Sequence, residues 1–534
     1  MTEIPQTERA IQLIGPDEMA LNPAKPVPEP GPRQVLARVE AVGLCFSDLK
    51  LLKQFSGHVR KSEVVHGADP EALKDMPNYV PGGRPTVPGH EAVVRIAKVG
   101  PGVERYRAGE RFVVETDYRW LPTDKSNAAF GYNFEGGLQE YVLFDERVIT
   151  SPEGHSMLLP APENLSASAL ALVEPWACVE CAYAEVQRRT LKPGGRLLVA
   201  SDTPVDRAVT ERLSGKPGAV DFAVGGAVGE LKDASYDDVV YFGADAGTAE
   251  TLFAKLAAGG LMAIVTGGRR FGRPVNAQVG RVHYGGIRIV GTAGADPAHA
   301  YAAIPATAEV RANDRVHIVG AAGPMGVMHV VRTLSSGTAG VTVYAADLNA
   351  ERLAGLRDLA EPLAKEKGLA LRCYDPAKEP LGLAFDYIVV MAPVPALVAQ
   401  AVEAAAKRAI INVFAGIPAD KTAAIDLDAY VGKQLYFIGT SGSEMKDMQR
   451  VLAKVTAGEL DTNLSVAAVS GLEGAIDGIR AVEKNLLPGK VLVYPSCRGL
   501  ALTPLGALEG EASPENGRWD AEAEAALLKR FAKP

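Results

Sequence analysis

The stretch Gly43–Lys50, GLCFSDLK, puts a thiol, a hydroxyl and a carboxylate within four residues: Cys45, Ser47 and Asp48. Two later segments supply complementary groups. TVPGHEAVVRIAKVG carries His90 and Glu91, and ALVEPWACVE carries Glu174. Taken singly these residues say little. A lone cysteine is more often a small buried hydrophobe, and Glu174-Pro175 is an ordinary way to start a helix. Taken together, thiolate, imidazole and carboxylate are the ligand types of a catalytic zinc, which keeps one position open for water or substrate. Cys45, His90, Glu91 and Glu174 therefore read as one metal centre, drawn from three segments and assembled by folding.

A second constellation lies downstream. VHIVGAAGPMGVMHVVR runs an apolar strand into Gly320, Gly323 and Gly326 and on into a helix, with Pro324 and Met325 inside the turn. Glycines there permit a tight turn and let a pyrophosphate approach backbone N–H groups at a helix N-terminus. VTVYAADLN follows and places Asp347 at a strand end. A carboxylate at that point accepts hydrogen bonds from ribose hydroxyls and repels a 2′-phosphate, so NAD is expected over NADP. Gly416 and Gly439, near the ends of later strands, are counted with the same cofactor-binding set.

These residues need elements to position them. Up to about residue 190, short alternating runs such as QVLARVEAVGL and EAVVRIAKVG, bounded by Gly and Pro, predict a mainly β domain. From Leu191 onward, apolar strands alternate with Ala- and Leu-rich helices, the pattern of a parallel α/β architecture. That pattern occurs twice. Asp238 matches Asp386, Gly268 matches Gly416, Gly291 matches Gly439 and Gly294 matches Gly442, each pair 148 positions apart. A constant offset marks an internal duplication. The first copy is the shorter, with 42 positions from Arg196 to Asp238 against 71 from Arg315 to Asp386, a difference of roughly one strand–helix step. It also lacks the glycine turn, since VASDTPVDRAV puts Thr203 and Asp206 where glycines stand in the second copy. It is expected to bind no dinucleotide. The expected boundaries are 1–190, 191–307, 308–484 and 485–534, with the last segment returning to the first domain.

Composition excludes several classes. The chain has 534 residues, 47% hydrophobic and 22% charged, with net charge −8. That length points to several domains. No basic block suggests nucleic acid, and no apolar run suggests a membrane span. The N-terminus does not read as a secretory signal. Five scattered cysteines do not form a disulfide framework. A cytoplasmic location is expected. Cys178 and Cys181 read as core residues of a helix.

The order C-x-S-D, P-G-H-E, E-P and then a glycine-rich dinucleotide turn resembles the zinc-dependent medium-chain dehydrogenase/reductase family. Glu174 in place of cysteine is similar to its polyol (sorbitol) dehydrogenase branch. CFSDLK, GYNFEGGLQEY and EPWACVECAY resemble L-sorbose-1-phosphate reductase-type members. The resemblance implies an α/β protein with a β-rich GroES-like catalytic domain and Rossmann-like doubly wound units, here two in tandem. It implies that Cys45, His90 and either Glu91 or Glu174 hold zinc, and that Ser47 bonds the substrate oxygen and relays its proton. Hydride would pass between NAD(H) and the alcohol or ketone of a polyol, sugar or sugar phosphate. A threonine or simple-alcohol dehydrogenase, or a non-catalytic NAD-binding structural protein, are the alternatives.

Two departures from the family stand out. Lys50 occupies the place of a frequent relay histidine, and the segment from Glu115 to Gly137 has no cysteines, so no structural zinc is expected. His58, Arg60 and Lys61 form a basic cluster that could hold a sugar phosphate. The expected partner is a small polyol or sugar, without nucleic acid or membrane. The chain is expected as a homo-oligomer, or as its own pseudo-dimer in which the first copy covers an edge strand of the second.

Overall fold

The run QVLARVEAVG buries all but two of its side chains largely or completely, so the strand Gln34–Gly43 has to be an interior one. In the computed structural model, which describes residues 4–63, 65–514 and 517–532, it is central. It pairs antiparallel with Glu91–Val99, with Tyr141–Asp145 and, at its far end, with Lys490–Val493. Arg111–Val114, Leu158–Pro160, Val466–Ser470 and Thr503–Pro504 complete an eight-stranded sheet. Val35, Val39, Val42, Val94, Val491 and Val493 share its core. The C-terminal strands thus belong to the same sheet as the first metal-ligand segments.

One compact unit runs to Ala177 and resumes at Ser443; the other is Cys178–Gly442. This corrects the boundaries read from sequence. The return begins near Ser443 rather than at 485, because the strand Val466–Ser470 pairs with Lys490–Val493 in the first unit's sheet. The helix Met445–Thr456 had read as one more step of the Rossmann-like pattern, since periodicity does not say which sheet a helix serves. The helix Ala521–Phe531 is anchored to the first unit by Glu524. Its carboxylate accepts from the N–H groups of Ala167 (2.6 Å) and Ser168 (2.7 Å) and from the Tyr494 hydroxyl (2.9 Å). Those N–H groups open the helix Ala167–Ala171, whose first-turn donors have no partner within the helix.

The second unit holds both α/β copies. In the first copy five parallel strands run in the order Ala219–Val224, Arg196–Ser201, Tyr236–Phe242, Leu256–Val265, Arg288–Thr292. In the second copy the order is Ala370–Tyr374, Thr342–Ala346, Arg315–Val319, Phe385–Val390, Ala405–Val413, Tyr436–Ile438. The first copy is one outer strand short. It also has a 3₁₀ turn, Arg207–Arg212, where the second has the helix Pro324–Ser335.

Among the described residues, the outer strands Arg288–Thr292 and Tyr436–Ile438 lie side by side without hydrogen bonds between them, so the first copy covers the second's edge strand without extending its sheet. The copies join instead through a separate antiparallel ribbon, Val275–Ala277 with Ala423–Ile425. Its register is Val275↔Ile425, Asn276↔Ala424 and Ala277↔Ala423. Under the 148-residue offset, Asn276 pairs with its own counterpart, so the ribbon lies on a local twofold axis. Packing obeys the same axis. A Cβ on Gly291 would come within 2.5 Å of Val431, and one on its counterpart Gly439 would come within 3.0 Å of the His283 Cα, the counterpart of Val431. Among the described residues no helix is long and apolar enough to cross a membrane.

Candidate active site

Cys45 immediately precedes the helix Phe46–Gln54, in extended backbone, and its N–H donates to Asp48 Oδ2 at 2.9 Å. The other oxygen of Asp48 accepts from Gly89 N (3.1 Å) and lies 3.2 Å from His90 Nδ1. Asp48 therefore fixes the His90 ring through Nδ1 and leaves Nε2 to face a ligand, the usual arrangement behind a metal-bound imidazole. Cys45, His90 and Glu91 each present one ligand atom within 4.8 Å of the others. Ser47 Oγ lies 3.6 Å from the Cys45 sulfur. Asp48 thus orients a ligand, a role that its position in GLCFSDLK did not reveal.

Glu91 is fully buried and its two oxygens are unequal. Oε1 accepts from Lys490 Nζ at 2.5 Å, and the same ammonium donates to the Leu44 carbonyl at 2.8 Å. Among the described residues, Oε2 has no hydrogen-bond partner. Burial disfavours the Lys490 ammonium, but the charges of Glu91, Cys45 and Glu174 and the hydrogen bond to Glu91 together outweigh it and raise the lysine above its ordinary range. Gly43, paired with Glu91 across the sheet, makes room for this carboxylate: a Cβ there would stand 2.1 Å from Oε2. An orphaned buried carboxylate oxygen beside a thiol and an oriented imidazole fits a divalent cation such as zinc. Lys490 was missed in sequence because nothing in PGKVLVYP links it to a glutamate 399 positions away.

Glu174 stands in the first turn of the helix Val173–Ala184. It is outside the tight trio, but the charges of His90 and Glu91 both act on it. Burial raises its carboxyl to about 7. Glu115, also buried, is pushed to about 8 by burial and then by the charge of Glu174. Tyr132 borders the centre, its ring 5.7 Å from that of His90 and 5.2 Å from that of His58. The Arg60 guanidinium lies 5.3 Å from the Tyr132 ring. Lys61 is a correction to the basic cluster. Its ammonium is buried and donates to the Val80 and Arg84 carbonyls, so it braces the loop. Lys50 is exposed at 5.8 Å from the Phe46 ring, and its charge acts on His58.

In the second unit, Gly320 has φ +82, a conformation glycine adopts freely, and Gly323 caps the helix Pro324–Ser335. A Cβ on Gly326 would lie 2.3 Å from the Gly320 carbonyl oxygen, so that helix packs on the turn only with glycine. Pro324 and Met325 form the first turn of the same helix. Asp347 Oδ2 accepts from Ala322 N at 3.1 Å and Oδ1 from Asn349 N at 3.0 Å, with Arg352 at 3.3 Å. Gly439 is tightly packed, and a Cβ there would stand 2.8 Å from the Val413 carbonyl oxygen and 2.9 Å from that of Val282 in the first copy. Gly416 faces the Tyr284 hydroxyl, where a Cβ would stand at 2.9 Å. In the first copy, the Asp202 carboxylate fills the corresponding strand end, accepting from Ala244 N (2.8 Å) and the Tyr241 hydroxyl.

Comparison with known proteins places this geometry. Residues 31–153 match the alcohol dehydrogenase GroES-like domain. An uncharacterized protein of Escherichia coli, YggP, is 28% identical over 248 residues, 42% of this chain and 58% of that protein. L-sorbose 1-phosphate reductase of Klebsiella pneumoniae is 28% identical over 235 residues, 41% of this chain and 56% of that protein. The chain thus spans less than two thirds of the length of these curated relatives. The 2R,3R-butanediol dehydrogenase structure from Bacillus subtilis aligns with 92% of this chain and 100% of its own, with TM-score 0.54 and 18% identity, a likeness of fold. The matched domain marks residues 31–153 as GroES-like, and the rest of the chain shares its α/β fold with alcohol and polyol dehydrogenases, to which it is similar.

Proposed function

We propose that this protein is a zinc-dependent, NAD(H)-linked dehydrogenase that interconverts a secondary alcohol and a ketone on a polyol or sugar. The observation that carries it is the trio Cys45, His90 and Glu91, with His90 oriented by Asp48 and Glu91 Oε2 left without a partner among the described residues. Zinc held by Cys45, His90 and one of Glu91 and Glu174 would polarise the substrate oxygen and ease ionisation of an alcohol. Ser47 hydrogen-bonds that oxygen and passes its proton outward. Asp48 holds the imidazole in place, and Lys490 holds one oxygen of Glu91, so the centre is ordered before substrate arrives. The Gly320–Gly326 turn cradles the pyrophosphate of NAD and Asp347 takes the ribose hydroxyls, while the nicotinamide supplies the hydride chemistry.

The test is metal content and turnover of the purified chain. About one zinc per chain is expected, with NADH-linked activity on polyols or their ketones. A chelator should abolish that activity and zinc restore it, and Cys45→Ser should lose both metal and turnover. A chain with neither zinc nor nicotinamide-linked turnover sinks the reading.

A further inference from the structure

We propose that Tyr284, a side chain of the first copy, completes the dinucleotide site of the second, its hydroxyl hydrogen-bonding the nicotinamide end of the cofactor. This rests on the dehydrogenase reading above and adds a cofactor contact from the copy that has no glycine turn of its own. In a doubly wound parallel sheet, ligands lie outside the carboxyl ends of the strands. The glycine turn follows Arg315–Val319, and Asp347 follows Thr342–Ala346 on one side of it. With Asp347 on the adenosine ribose, the nicotinamide lies on the other side, over the ends of Phe385–Val390 and Ala405–Val413. Phe414, Ala415 and Gly416 follow the second of these strands.

Tyr284 ends the helix Gly280–Tyr284 of the first copy and keeps 42% of its surface exposed, so the phenol is open to a ligand. Its hydroxyl stands at Gly416: a Cβ on that glycine would lie 2.9 Å from it. The same helix is fixed on the second copy at other points. A Cβ on Gly280 would lie 1.9 Å from the Pro418 carbonyl oxygen, and one on Gly439 would lie 3.0 Å from the His283 Cα. The His283 ring meets Phe414 edge-on at 6.1 Å, and the Tyr284 ring meets His283 edge-on at 4.7 Å. These contacts hold the phenol beside the strand end before any ligand arrives.

The twofold relation supplies a control inside the molecule. Under the 148-residue offset the counterpart of Tyr284 is Gly432, and that of Gly416 is Gly268. The second copy therefore offers no side chain at the place equivalent to Tyr284, and a Cβ on Gly268 would meet no described atom within 4 Å. A purely structural role at this contact would be served equally on either side of the axis. A role toward a cofactor is needed on one side only, and the phenol stands beside the copy that keeps Gly320, Gly323 and Gly326. Two strand spacings of about 4.8 Å each separate the Gly416 strand from the glycine-turn strand, so pyrophosphate and adenosine stay out of its reach. The nicotinamide carboxamide carries an acceptor oxygen and an N–H donor, and a phenol can serve either.

The test is equilibrium binding by titration calorimetry on the full chain, with NADH and ADP-ribose as probes. ADP-ribose keeps the adenosine, the pyrophosphate and the second ribose and lacks only the nicotinamide. Tyr284→Phe should weaken NADH binding about fivefold, the worth of one hydrogen bond, and leave ADP-ribose binding unchanged. Gly416→Ala, whose added Cβ displaces the hydroxyl, should weaken NADH to a similar degree, and the double variant should be no weaker than either single one. Unchanged NADH affinity in folded Tyr284→Phe overturns the proposal. An equal loss for ADP-ribose also overturns it, because the tyrosine would then brace the site at large. Both outcomes leave the dehydrogenase reading standing, whereas a wild type that binds neither nucleotide overturns that reading and this proposal together.

Discussion

Gly43 shows how little room the metal centre has. No side chain fits opposite Glu91, because the carboxylate fills the space a Cβ would need and its other oxygen is held by a buried lysine. Gly43→Ala should therefore push Glu91 off its position and leave the fold largely intact. The expected result is a drop of at least tenfold in zinc affinity, read by chelator competition, with little change in thermal midpoint. An alanine variant that binds zinc like wild type would show that Glu91 is not held for the metal. At this scale the sequence was partly legible. Cys45, His90 and Glu91 could be named from residue type and order, and they converge. Lys490 and Tyr132 could not, since each gains its place only when strands or loops far apart in sequence are brought together. Within the basic cluster, periodicity and composition cannot tell Arg60, which keeps an exposed face, from Lys61, which is buried to brace the loop.

Among the elements, the glycine-turn helix and its neighbouring strand in the second copy carry one buried and one half-buried histidine. His329 is fully buried, with Nδ1 at 2.7 Å from the Tyr183 hydroxyl, and burial lowers it to about 3. His317 stacks on Phe385 at 4.4 Å, and burial lowers it to about 4. Both stay neutral when folded, while the unfolded residues take up a proton near 6.5. Below that pH the unfolded state binds more protons, so stability is present above about 6.5 and is lost as pH falls toward 4. Each histidine should account for about 2–3 kcal/mol of loss between pH 6.5 and 4.5, at about 1.4 kcal/mol per pH unit. Denaturant midpoints measured across that range should fall, and His329→Gln should flatten the slope whatever it does to the midpoint at pH 7. An unchanged slope would mean that His329 is protonated in the fold. Element types were legible from their periods of two and 3.6 residues. The reach of the returning C-terminal segment was not, because a strand's pattern is the same whichever sheet receives it.

For the molecule as a whole, the duplication visible in sequence becomes a twofold contact inside one unit. The offset that aligned Gly291 with Gly439 also predicts which residues meet there, with Gly291 against Val431 and Gly439 against the His283 backbone. Gly439→Leu should force the copies apart and cost about 2 kcal/mol or more, as overpacking of a tight contact does. Loss of NADH binding alone, with stability unchanged, would assign Gly439 to the cofactor site. What sequence could not supply was the manner of joining, a short ribbon at Asn276 and Ala424 in place of a continuous sheet, since backbone pairing across an axis leaves no mark in side-chain pattern.

That ribbon has a consequence for how the two copies behave as partners. Two identical subunits meet at a rate and extent set by their concentration, and dilution can part them. Here the partners are tethered in one chain, so their encounter is intramolecular and their ratio is always one to one. The contact cannot be titrated away, and neither half is ever matched with a twin carrying the same substitution. One copy is then free to lose its glycine turn and set Asp202 in that place while the other keeps its glycines, a difference that a symmetric pair of identical chains could not make.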